Sequence, residues 1–234
     1  MILSIIIPVF NEEKTVGEII RKVLDVKLTS KLRKEIIVID DHSTDSSPSK
    51  INMVKEVKKI FHRENSGKGA AVRSGLKIAS GDIIIIQDAD LEYDPSYYPM
   101  LLNPIVENEA DIVYGTRLIN YPLNLWGKRK TVLPTHLIAN KFLTAITNLL
   151  FGSNLTDMET CYKVFKKRCL KGIDLKSNGF GFEPEITAKF LKKGYKIFEI
   201  PIKVIPRTYK QGKKINFLDG LKAVWTILKY RFVN

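Results

Sequence analysis

Apolar residues in this chain follow two rhythms. Short β-branched runs such as Ile5-Ile6-Ile7, Ile36-Ile37-Val38-Ile39 and Ile83-Ile84-Ile85-Ile86 read as strands covered on both faces. Elsewhere apolar positions recur every three or four residues, as at Val16, Ile19, Ile20, Val23 and Leu24, which marks a helix with one buried side. The pattern predicts strands over residues 2–8, 35–40, 59–62, 83–87 and 111–115. It predicts helices after Asn11-Glu12-Glu13, from 65–69 to about 79, and from Pro95. This alternation argues for an α/β fold, a Rossmann-like and mostly parallel central sheet with helices on both faces. Right-handed crossovers then bring every strand's carboxyl end to one edge. Pro8 to Glu12, Asp40 to Asp45, Asp88 to Glu92 and Arg117 are expected to converge there on one crevice.

The second half is less regular. It reads as a helix over 133–151, a loop and strand over 156–165, and a helix over 182–193. A pair of strands interrupted by Pro201 follows over 195–205, then a polar, basic loop over 206–214. The last helix, 217–232, carries Leu218, Leu221, Val224, Trp225 and Leu228 on one face. The chain has 234 residues and neither an internal repeat nor a low-complexity linker. One domain over 1–234 is therefore expected, with halves 1–117 and 118–234.

Composition narrows the class. Hydrophobic residues make up 44%, enough for a real core. No stretch reaches the roughly 18 unbroken apolar residues of a membrane span. The first apolar run lacks a preceding basic region and a cleavage site, so it is expected to be a strand and not a signal peptide. Cys161 and Cys169 have no metal-site spacing and suggest reduced thiols in a cytoplasmic protein. His42, His62 and His136 are scattered. The net charge of +13 implies a polyanionic partner: nucleic acid, an anionic membrane or a phosphorylated substrate. Between Lys189 and Lys214 stand nine Lys or Arg and one acid, Glu199. Nucleic acid is disfavoured, because no helix-turn-helix, zinc or stacking module is present.

The chemistry gathers in the stretch from Gly81 to Pro95, GDIIIIQDADLEYDP. If the segment after the isoleucines stays extended, Asp88, Asp90 and Glu92 fall on one side. Three neighbouring carboxylates repel unless a cation neutralises them. A hard divalent ion, Mg²⁺ or Mn²⁺, would do so with oxygen ligands and bind substrate phosphates as well. Gly67-Lys68-Gly69 does not make a phosphate loop, since His62 stands where the first Gly should be and Gly69 where Ser or Thr should follow. Nor is there a third Gly near Val72 for a dinucleotide fingerprint. A helix N-terminus with tight backbone packing is expected instead, with Lys68 near a phosphate.

Taken together the motifs resemble glycosyltransferase family 2. They are Ile5-Ile6-Ile7-Pro8-Val9-Phe10-Asn11-Glu12, Val38-Ile39-Asp40-Asp41-His42-Ser43-Thr44-Asp45, Gly67-Lys68-Gly69-Ala70 and Gln87-Asp88-Ala89-Asp90. Tyr114-Gly115-Thr116-Arg117, Thr156-Asp157-Met158-Glu159-Thr160 and Gly212-Lys213-Lys214-Ile215 look like that family's polyprenyl-phosphate sugar transferases. Dolichyl-phosphate mannose synthase is their best-known type. His42 departs from the pattern, where the family usually carries Gly. So does the lack of C-terminal transmembrane helices, which suggests a peripheral enzyme on the cytoplasmic face of the membrane.

The resemblance implies a GT-A fold, a nucleotide-diphosphate sugar donor of the GDP-mannose or UDP-glucose type, a polyprenyl phosphate acceptor and inversion at the anomeric carbon. It puts Pro8, Phe10, Glu12 and Ala89 around the nucleotide sugar, and Val38 and Asp40 at the base. Asp88, Asp90 and Glu92 would clamp the metal, which makes Asp90 a catalytic candidate. Arg117, Arg129 and Arg207 are the phosphate candidates, with Lys128 or Lys130 able to replace Arg129. Asp157 is the base for a hydroxyl acceptor, or an orienting residue for a phosphate one. Glu159, Glu183 and Glu185 are weaker candidates for the same role. A sugar hydroxyl acceptor, as in polysaccharide or glycoprotein assembly, is the alternative. The helices over 133–151 and 217–232, apolar with basic flanks, are candidates for contact with the bilayer interface.

Overall fold

The structure, a computed structural model, describes residues 1–119, 134–207 and 217–233. Its sheet has seven strands: β1 (Ile2–Val9), β2 (Arg33–Asp40), β3 (Lys58–Phe61), β4 (Ile83–Ile86), β5 (Ile112–Thr116), β6 (Lys163–Lys166) and β7 (Ile197–Pro201). Their order is β3-β2-β1-β4-β6-β5-β7. The pairs β1–β2, β1–β4, β2–β3 and β5–β7 are parallel. β6 runs antiparallel to both β4 and β5.

The fold matches the expected α/β class, with one correction. The carboxyl ends of β1 to β5 share one edge as expected, and β6, running the other way, enters at the edge where β4 and β5 leave. Its preceding loop therefore brings Glu159 to the crevice, with Asp157 buried behind it. The expected strand pair over 195–205 is a single strand, β7. Pro201 has no N–H to extend the ladder, and only Ile202 N–H reaches back, to the Thr116 carbonyl at 2.9 Å.

Seven helices complete the described fold: α1 (Val16–Asp25), α2 (Ser47–Met53), α3 (Lys68–Ile78), α4 (Tyr98–Val106), α5 (Pro134–Phe151), α6 (Phe182–Lys192) and α7 (Phe217–Phe232). α2 escaped the sequence reading because it is short and polar. Ile5, Ile6 and Ile7 of β1 and the four isoleucines of β4 are essentially unexposed. Each such side chain contributes roughly 1.5–3 kcal/mol of burial free energy. A second small core of Leu143, Leu155, Met158, Ala223 and Ile227 joins α5 and α7 to the loop before β6.

α7 buries Ala223, Ile227 and Tyr230 and turns the opposite stripe outward. Leu218, Leu221, Trp225, Leu228 and Phe232 are all exposed, Trp225 by 68%. α5 likewise exposes Ile138, Phe142 and Leu149. Among the described residues no helix is long and apolar enough to cross a membrane.

Candidate active site

A cleft of about 370 Å³ opens where β1, β4 and β5 end. Pro8, Phe10 and Glu12 line it from the end of β1, and Asp88, Ala89, Asp90 and Glu92 from the turn after β4. Lys68 enters from the start of α3, Arg117 from the end of β5, and Arg207 from the segment after β7. Sequence positions nearly 200 residues apart thus share one wall, since Arg207 reaches Glu12 with |i−j| of 195.

The loops after β1 and β2 are sewn together by small polar residues. Asn11 N–H donates to Ser43 Oγ at 2.9 Å, Glu12 N–H to Ser47 Oγ at 2.9 Å and Glu13 N–H to Asp45 Oδ2 at 3.0 Å. His42 takes a φ of +63°, a left-handed geometry that favours Gly. Val38 is wholly buried inside β2. Asp40 accepts from Ser43 N–H at 3.0 Å through Oδ2, while its buried Oδ1 has no hydrogen-bond partner. Neither residue lines the cleft, but Asp41 does. Asp41 accepts from Ser66 N–H at 3.0 Å and Gly67 N–H at 2.7 Å, fixing the loop into α3.

That loop explains the glycines. Ala70 N–H donates to the Asn178 carbonyl at 2.9 Å. A Cβ on Gly67, whose φ is +93°, would meet the same carbonyl oxygen at 2.6 Å. Lys68 projects from this tight contact. Its Nζ stands 2.8 Å from Asp88 Oδ1 and 2.7 Å from Glu183 Oε1. Burial alone would lower its pKa, but the charges of Asp88 and Glu183 outweigh burial and raise it well above the usual value.

The acids after β4 do not lie on an extended segment. Gln87, fully buried, folds them into a turn by donating from Nε2 to the carbonyls of Asp88 at 3.0 Å and Tyr93 at 3.1 Å. Its Oε1 accepts from Tyr98 and Tyr162 hydroxyls at 2.7 and 2.9 Å. Leu91 adopts a φ of +63° at the tip. The acids therefore part company. Asp88 faces Lys68, while Asp90 and Glu92 face Arg207. The Arg207 guanidinium lies 2.8 Å from Asp90 Oδ2 and 3.0 Å from Glu12 Oε2, and the Arg207 backbone N–H donates to Glu92 Oε1 at 3.0 Å. Burial, then the Asp88 charge, pushes the Asp90 carboxyl up to about 7.

Among the described residues no group of three or more Asp, Glu, His or Cys side chains is placed to hold an ion, and Glu92 is committed to Arg207. Asp88 and Asp90 nevertheless supply hard oxygen donors. Mg²⁺ commonly binds through one or two carboxylates and takes its other ligands from substrate phosphates and water. The residues fit an ion completed in that way.

Arg117 is fixed from behind. Its Nε and an NH2 group donate to Asp157 Oδ2 and Oδ1 at 2.6 and 2.7 Å. Asp157 is wholly buried, does not line the cleft, and has its own N–H bonded to Glu199 at 3.0 Å. Glu185 is also remote, bonded to Lys189 and to the N–H groups of Lys176 and Ser177. Glu159 and Glu183 do line the cleft. Arg129, with Lys128 and Lys130, lies outside the described residues, as does 212–215. Sequence reasoning missed Gln87, Asn65 and Tyr93. Only Gln87 carried a signal, a polar residue directly extending an apolar strand.

Comparison with known proteins agrees with this architecture. The model of the family described as glycosyl transferase family 2 matches residues 4–173. An uncharacterized protein of Methanocaldococcus jannaschii is 30% identical over 97% of this chain and 90% of its own length. UDP-N-acetylglucosamine–dolichyl-phosphate N-acetylglucosaminyltransferase of Methanococcus voltae is 28% identical, covering 97% of this chain and 95% of that protein. Dolichol-phosphate mannosyltransferase of Pyrococcus furiosus is also 28% identical, over 98% of this chain and 64% of its own. Among solved structures, glucosyl-3-phosphoglycerate synthase from Mycobacterium tuberculosis, in complex with Mn²⁺, UDP and glucosyl-3-phosphoglycerate, superposes with a TM-score of 0.72. That likeness, at 20% identity over 99% of this chain and 80% of the other, speaks to the GT-A fold alone. The chain belongs to glycosyltransferase family 2, is a glycosyltransferase, and resembles the family's polyprenyl-phosphate sugar transferases.

Proposed function

We propose that this enzyme transfers a hexose, with inversion, from a nucleoside diphosphate sugar of the GDP-mannose or UDP-glucose type to a polyprenyl phosphate. The observation that carries the reading is one cleft in which Asp88 and Asp90 stand among three cationic side chains, Lys68, Arg117 and Arg207. A diphosphate and a lipid phosphate both need such cations. The names of the Methanococcus and Pyrococcus relatives, both of which specify dolichyl or dolichol phosphate, support the acceptor.

On this reading residues 1–117 hold the donor and 118–234 the acceptor, within one domain. Pro8, Phe10, Glu12 and Ala89 border the nucleotide. Val38 shapes the strand behind it, and the free Oδ1 of Asp40 offers an acceptor for a base N–H. Lys68 and Arg207 serve the donor's diphosphate. Mg²⁺ or Mn²⁺, held by Asp88 and Asp90, would act as a Lewis acid on the departing diphosphate. A phosphate acceptor is already anionic and needs no base, which suits Asp157 as the residue that aims Arg117 at it. The outward apolar stripes of α5 and α7, flanked by exposed Lys141, Lys222, Lys229 and Arg231, would rest on the cytoplasmic face of an anionic membrane.

The test is transfer from GDP-mannose, UDP-glucose and UDP-N-acetylglucosamine to a short polyprenyl phosphate with Mn²⁺. One donor should be used, and Asp88→Asn and Asp90→Asn should each lower its rate by about two to three powers of ten. No transfer from any donor would refute the reading.

A further inference from the structure

Two carboxyl groups in the cleft have oxygen atoms that the protein leaves unused. Glu183, only 4% exposed, stands in the first turn of α6. Its Oε1 lies 2.7 Å from Lys68 Nζ, and its Oε2 is buried with no hydrogen-bond partner. Glu159, in the loop before β6, has a buried Oε1 that is equally unpartnered. Both residues line the cleft, together with Cys161 and Phe180. A buried acceptor without a donor costs about 1–3 kcal/mol. Such atoms at a cleft wall are acceptors in wait of a ligand.

The neighbouring cations are already engaged. Lys68 serves Asp88 and Glu183, Arg117 serves Asp157, and Lys163 donates to the carbonyls of Met158 and Thr160 at 2.8 and 2.7 Å. Burial, then the Glu183 charge, pushes the Glu159 carboxyl up to about 8. Spare acceptor atoms at the wall of the cleft call for a ligand that donates hydrogen bonds, and a hexose is one.

We infer that Glu159 and Glu183 form the subsite for the donor's sugar ring, each accepting a hydrogen bond from a sugar hydroxyl through its free oxygen. This deepens the proposed function and rests on it. The same two residues would set which hexose is accepted, because a site built to accept from a hydroxyl discriminates against a sugar that lacks one there.

The test is calorimetric titration, with Mn²⁺, of UDP, UDP-glucose, GDP and GDP-mannose into the full chain and into Glu159→Ala and Glu183→Gln. The sugar nucleotide that binds the native protein should lose about tenfold in affinity in each variant, the loss of roughly one hydrogen bond. In Glu159→Ala its nucleoside diphosphate should stay within about twofold, which a merely structural role would not produce. Should Glu183→Gln not fold, Glu159→Ala, whose side chain makes no ion pair here, decides alone. Equal losses for both probes, or no loss, overturn the inference and leave the proposed function standing. Failure of the native protein to bind any of the four overturns both.

Discussion

Arg117 and Asp157 meet edge to edge, Nε 2.6 Å from Oδ2 and NH2 2.7 Å from Oδ1, with the Arg117 backbone N–H adding a third bond at 2.9 Å. Behind them Glu199 accepts from the backbone N–H groups of Thr156 and Asp157. The guanidinium is thereby set in one orientation before any ligand arrives.

Asp157→Asn should therefore weaken use of the acceptor more than use of the donor. The KM for polyprenyl phosphate should rise at least about tenfold while that for the nucleotide sugar changes little. Breaking a buried pair should also cost about 3 kcal/mol and lower the melting temperature by several degrees. Steady-state kinetics with each substrate varied in turn, and a thermal melt, check both. An unchanged acceptor KM would contradict the orienting role.

Arg207 occupies ground that a divalent ion would share. Its guanidinium faces Glu12, Asp90 and Glu92 at once. Arg207→Ala removes the competing charge, so Mn²⁺ affinity measured without donor should rise about tenfold at low ionic strength. Transfer should nonetheless slow, because a phosphate partner is lost. Manganese titration followed by electron paramagnetic resonance gives the first number and a rate assay the second.

Glu159 ties stability to pH. Its carboxyl is pushed up to about 8, chiefly by burial and then by Glu183, with Asp157 adding to the rise and Lys163 and Arg117 opposing it. Above the ordinary carboxylate range, near 4.5, the folded state thus binds a proton that the unfolded chain has released. The contribution of this group to stability is greatest below pH 4.5 and falls as pH rises to about 8. Glu159→Gln imitates the protonated form. Its melting temperature relative to the native protein should climb steadily between pH 5 and 8, and a difference independent of pH would count against the assignment.

The exposed stripe of α7 should matter only at a membrane. Replacing Trp225 and Phe232, both exposed, by Ser should leave the melting temperature nearly unchanged. It should reduce flotation with anionic vesicles by at least about tenfold, the value of two aromatic side chains entering the interface. Absence of flotation by the native protein at low salt would remove the membrane contact.

Much of this was legible in the sequence. Unbroken isoleucine runs announce strands covered on both faces, and β1, β2 and β4 follow them closely. Gly67-Lys68-Gly69 signalled close backbone packing, and Asn178 supplies the packed backbone. The site was less legible where geometry depends on distant partners. Asp88, Asp90 and Glu92 read as an extended row because spacing alone cannot reveal Gln87, braced by Tyr98 and Tyr162, bending the segment. Asp157 was visible as an acid, but its bond to Arg117 joins positions with |i−j| of 40. His42 shows the reverse. The sequence shows His where the resemblance expects Gly, and the backbone keeps a left-handed turn with a residue type that tolerates it better than most.

The position of β6 has a consequence for how the polypeptide is made. β4 pairs with β1 on one side and with β6 on the other, and β6 ends at Lys166. While the ribosome is still short of that residue, the Ile83–Ile86 edge has no neighbour and offers a bare apolar template to other nascent chains. Synthesis stopped near residue 117 would release a fragment with that edge uncovered, because the last central strand is threaded between two already waiting.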